Sequence, residues 1–66
     1  MSAVTGIKIL MADKELTQAQ LSELSGVSQT TISLALSGKV KAQVKTVAKL
    51  AVAMGSTYSE VIKLGV

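Results

Sequence analysis

The stretch LSELSGVSQTTISLALSGK, residues 21–39, sets two short apolar-periodic runs on either side of a glycine. Gly26 can end the first run by taking the left-handed conformation that a tight exit from a helix needs. Ser28 follows as a favoured N-cap, and Val27 with Ile32 stand at the N′ and N4 positions of a hydrophobic staple. The spacing predicts one helix ending near Ser25 and the next over Gln29–Ser37, closed by Gly38. Two capped helices joined across Gly26, Val27 and Ser28 must turn sharply, which is the geometry of a helix-turn-helix.

The same grammar recurs on both sides. In LTQAQL, residues 16–21, Thr17 is an N-cap, Gln20 completes a capping box, and Leu16 with Leu21 form another staple. Leu21 and Leu24 are expected to face inward. Upstream, Val4, Ile7, Leu10 and Met11 recur at helical spacing and predict a first helix over 4–13, with Gly6 weakening its start. Downstream, a fourth helix is expected over 43–54, with Val44, Val47, Leu50, Ala51 and Met54 as its buried stripe and Gly55 as its stop. Its N-terminus lacks a favoured cap, because neither Ala42 nor Gln43 is one. A short fifth helix starts at Thr57, with Glu60 as capping-box partner, and continues through Val61, Ile62 and Leu64. No strand-like alternation with hairpin turns is visible, so the expected fold class is all-α.

Sixty-six residues bound the chain to one domain, 1–66, with a small core. Cysteine and histidine are both absent, which removes disulfides, the usual zinc sites and histidine-based catalysis. Asp13, Glu15, Glu23 and Glu60 form no pair that a mechanism would use, so neither an enzyme nor a cofactor is expected. Hydrophobic residues make up 48% of the chain while Tyr58 is the only aromatic one, so the core must be aliphatic. Tyr58 itself reads as a partly buried anchor. No apolar run is long enough to span a bilayer and no leader is visible, which points to the cytoplasm.

The net charge is +3, and its distribution says more than its size. Between Glu23 and Glu60 no acid occurs, whereas Lys39, Lys41, Lys45 and Lys49 all lie there. A one-signed stretch suits a polyanionic partner, and equally a solvated lysine face. Lys45 and Lys49, one turn apart, also allow a helix resting on an anionic membrane, but no Trp or Phe supports that reading.

On the third helix, Ile32, Ala35 and Leu36 can be buried together. Gln29, Thr30, Ser33 and Leu34 then share the opposite face. That face is short-chained and uncharged, unlike an ordinary solvated helix. Such a helix fits the major groove of B-DNA, where glutamine pairs both amide groups with adenine, Ser and Thr bond base edges, and an apolar side chain touches a thymine methyl. Lys39, Lys41 and Lys45 are available for phosphates, and Ser28, primarily a cap, can touch one as well.

The stretch LTQAQLSELSGVSQTTISLALSGK resembles the helix-turn-helix of the phage repressor and Cro proteins and the wider xenobiotic-response-element family. The likeness extends from Ile7-Lys8 through the turn at Gly26 to Ser28, Ile32, Gly38-Lys39 and Met54-Gly55 to the capped last helix. It implies a compact five-helix, lambda-repressor-like domain that binds double-stranded operator DNA. By the resemblance, Gln18 would contact backbone and brace Gln29, while Gln29, Thr30 and Leu34 would face bases. Ser22 stands where the family commonly has a small alanine, and the chain has no arginine. VSQTTISLALSG also resembles the lactose-repressor family, whose following segment and large sugar-binding domain have no counterpart here.

The function expected is a Cro-like transcriptional repressor of phage or prophage type, binding a palindromic operator as a homodimer. Val61, Ile62, Leu64 and Val66 are expected to form the dimer surface. No small-molecule effector and no membrane partner are expected. The alternative is a protein-interaction module of the same fold, such as an antitoxin-like partner.

Overall fold

A computed structural model describes residues 3–39 and 41–66; positions 1, 2 and 40 of the expected domain 1–66 lie outside the described residues. Five helices follow one another: α1 Ala3–Asp13, α2 Gln18–Ser25, α3 Gln29–Ser37, α4 Val44–Ala53 and α5 Tyr58–Leu64. The chain is all-α, and the order of helices is the one expected. α4 packs against α1, α2 and α5, while α1 also meets α3 and α5.

The helix starts are set by local chemistry. Thr17 Oγ1 accepts from the Gln20 N–H at 3.1 Å, and Gln20 Oε1 accepts from the Thr17 N–H at 2.9 Å, which completes the capping box. Ser28 Oγ accepts from the Thr31 N–H at 3.1 Å. At α5, Thr57 Oγ1 accepts from the Glu60 N–H, but the Glu60 carboxylate accepts from the Thr57 hydroxyl rather than from its N–H. Only half of the expected box forms there. Gln43 at the start of α4 makes no side-chain cap.

The core is aliphatic. Ile7, Leu21, Ile32, Leu36, Val47, Leu50, Ala51, Met54 and Val61 bury together, one or more from every helix or its cap, with Tyr58 packed partly against them. Fully burying one such Leu, Ile or Val contributes about 1.5–3 kcal/mol relative to leaving it exposed.

Three expectations about burial need correction. Leu24 is 59% exposed, not inward-facing. It lies in the last turn of α2, where that helix and α4 diverge into a shallow groove with Lys45, Lys49 and Val52. Val44 is also exposed, because the first turn of α4 stands clear of the core and burial begins at Val47. Val61, expected on a dimer surface, is 0% exposed and belongs to the core of the chain itself.

Two backbone features went unread in the sequence. Gly6 lies directly against α5: a Cβ there would collide with the Val61 carbonyl oxygen and come within 2.9 Å of Val61 Cγ1. The residue that weakens α1 as an isolated helix is the one that lets α1 and α5 touch. Glu15, leaving α1, has φ +54°. Its N–H donates to the Ala12 carbonyl at 3.2 Å and the Leu16 N–H to the Met11 carbonyl at 2.9 Å, a Schellman closure with glutamate in the place usually held by glycine. Gly55 closes α4 with the same pair of bonds, to Val52 and Ala51.

Candidate nucleic-acid interface

The link between α2 and α3 is held by hydrogen bonds at both ends of one peptide residue. The Ser22 hydroxyl donates to the Val27 carbonyl at 2.6 Å, and the Val27 N–H donates to Ser25 Oγ at 3.1 Å. Gly26, at φ +76°, turns its N–H back to the Ser22 carbonyl at 2.9 Å. A side chain with a Cβ rarely adopts that conformation. The turn thereby fixes where α3 lies relative to α2.

That placement brings Gln18, at the first position of α2, into one shallow depression with Gln29, Thr30, Ser33 and Leu34. Gln29, Thr30, Ser33 and Leu34 are all exposed, Leu34 by 51%, while Ile32, Ala35 and Leu36 on the other side of α3 are buried. The two-faced helix expected from the spacing is the one observed.

The hydroxyls of this region divide into two groups. Ser28 Oγ donates to Thr31 Oγ1 at 2.8 Å, and Ser37 Oγ donates to the Leu34 carbonyl at 2.7 Å while accepting from the Lys39 N–H at 3.2 Å. Those groups are occupied by the ends of α3. The side chains of Gln29, Thr30 and Ser33 make no hydrogen bond within the described residues. An exposed polar stripe with its donors and acceptors uncommitted can bond to an outside surface without first breaking an internal bond.

Lysines stand on both sides of the stripe. Lys8 of α1 lines a depression with Gln18, Ser33 and Ser37. Lys41 lines another with Thr31, Leu34 and Gln43. Lys39 is exposed at the exit of α3. Lys45 is placed elsewhere, in the groove with Leu24, Lys49 and Val52. Lys8 was not among the candidate contacts read from the sequence, because its nearness to α3 is created by the packing of α1. The only hint was its inclusion in the matching Ile7-Lys8 pair.

A sharp, glycine-containing turn that presents an uncharged polar helix between lysines defines a helix-turn-helix protein. The sequence profile of the helix-turn-helix family matches residues 7–61, so the chain belongs to that family, in its phage repressor and Cro type. The family is one of DNA-binding regulators. Comparison with curated proteins and with solved structures gave no significant match. Among the described residues, no helix is long and apolar enough to cross a membrane.

Proposed function

We propose that the protein is a sequence-specific transcriptional repressor that docks α3 in the major groove of a palindromic operator. The uncommitted stripe Gln29, Thr30, Ser33 and Leu34 carries this reading, because those side chains match what base edges offer in that groove. Lys8, Lys39 and Lys41 hold phosphates beside it, with Gln18 and the N-terminal turn of α3 at Ser28 fixing the register. Lys45 contributes less, since it faces the α2–α4 groove.

The protein works as a homodimer on DNA. Its longest dimension is 26 Å, whereas paired half-sites lie about 34 Å apart, so one copy serves one half-site. With Val61 buried, Leu64 and Val66 remain the exposed apolar residues of the C-terminal turn and supply the contact, with half-buried Ile62 beside them. A repressor of this kind acts in the cytoplasm, in a phage or prophage setting, and needs no effector.

Binding of a random duplex pool tests the proposal. Enrichment of a two-fold symmetric site is expected. Binding of all duplexes alike, with affinity set by salt alone, would remove it. In that case the antitoxin-like reading takes its place, with the Leu24–Val52 groove as its docking surface.

A further inference from the structure

We infer that the half-site read by α3 is built of A·T base pairs, with one adenine held by Gln29 and at least one thymine recognised through its methyl group by Leu34 or Thr30. The inference rests on the major-groove reading above and specifies its target.

The argument starts from what the stripe lacks. Guanine is most often read in the major groove by arginine or lysine, which donate to O6 and N7, and cytosine by a carboxylate that accepts from N4. Gln29, Thr30, Ser33 and Leu34 include no cation and no carboxylate. The chain has no arginine at all, and its nearest lysines, Lys8 and Lys41, occupy the depressions on either side rather than the stripe. The strong chemistry for a G·C pair is therefore missing where bases are met.

What the stripe contains points the other way. Gln29 offers one donor and one acceptor on a single amide, the complement of adenine N7 and N6. Its amide has no internal partner within the described residues. Leu34 is half exposed and projects two methyl groups, and Thr30 adds a third beside its hydroxyl. Thymine is the only base that presents a methyl in the major groove. Ser33 can bond any base and adds no preference.

The test uses the full chain and duplex DNA. A site is selected from a random pool, and each thymine is then replaced singly by deoxyuridine, which deletes the methyl and leaves every hydrogen-bonding group. The expected result is a half-site whose read positions are A·T pairs, with one or more deoxyuridine substitutions weakening binding about fourfold, the equivalent of one buried methylene. Leu34→Ala or Thr30→Ser should bind the thymine and deoxyuridine duplexes equally. Both positions are exposed, and a melting curve verifies that the variants fold. A selected half-site with G·C pairs at the read positions would overturn the inference while leaving the DNA reading intact. An A·T site indifferent to every deoxyuridine would overturn it too, since no thymine methyl would then be read. Failure to enrich any sequence would overturn the DNA reading itself.

Discussion

Ser22 and Val27 are joined across the turn by a 2.6 Å hydrogen bond from hydroxyl to carbonyl, part-buried where α2 gives way to α3. At this position the hydroxyl gives the turn a bond that a methyl cannot. Ser22→Ala removes the partner of the Val27 carbonyl. The loss of the bond costs about 1 kcal/mol, offset in part by the better helix propensity of alanine. Denaturant melting should show a small net destabilisation, and amide exchange at Val27 should quicken more than exchange in the core.

Gly6 and Val61 set a harsher limit. Gly6→Ala drives a methyl into the Val61 carbonyl, and the obstacle is backbone that cannot swing aside. Alanine is the better helix former by about 1 kcal/mol, but overpacking of this kind costs typically 1–3 kcal/mol and more against backbone. A net loss of about 2 kcal/mol is expected, which for a domain this small lowers Tm by roughly 8–16 °C. A Tm at or above the wild-type value would show that α1 and α5 can separate freely.

Glu15 predicts the opposite sign. It holds a left-handed conformation that glycine adopts without strain. Glu15→Gly should stabilise the chain by about 0.5–1 kcal/mol once the extra backbone entropy of glycine is deducted. Glu15→Ala, which keeps the Cβ, should not. Paired melting curves separate the two.

Gln29 and Ile32 lie on opposite faces of α3, so their variants should fail differently. Gln29→Ala should leave melting unchanged and lose about 1–3 kcal/mol of discrimination at one base pair per half-site. Ile32 is fully buried, and Ile32→Ala should cost about 2–5 kcal/mol of stability. Binding to single-base operator variants, measured alongside melting, checks both.

Lys8 and Lys41 flank the stripe, and each phosphate contact contributes about 0.9 to the slope of log affinity against log salt. Lys8→Ala and Lys41→Ala should each flatten that slope by about this amount and weaken all sequences alike. Lys45→Ala should change it less. An unchanged slope for both Lys8 and Lys41 variants would place the backbone contacts elsewhere.

Legibility followed the range of the interactions. Thr17, Ser28 and Thr57 could be read as helix starts because a cap is decided within four residues of itself. The outward stripe of α3 followed from periodicity alone. Leu24 and Val44 show where periodicity stops: it finds an apolar stripe but not which end of the helix runs out of neighbours. Gly6 reads locally as a weak helix former, because its reason, the backbone of α5 against it, lies more than fifty residues away. Lys8 lies beside α3 only through the packing of α1, which no local pattern in the sequence encodes. Glu15 carried no signal, since glutamate has no preference for the conformation it adopts.

The contact between Gly6 and the Val61 carbonyl also orders events during synthesis. α1 emerges from the ribosome long before the segment that covers it, and at ordinary synthesis rates the wait is roughly several seconds. Ile7, on the adjoining turn of α1, joins a core that includes Val61 and cannot be completed until the last helix arrives. Until Val61 has been made, the nascent chain therefore carries an unfinished apolar face, and the contact between α1 and α5 is among the last of the fold to form.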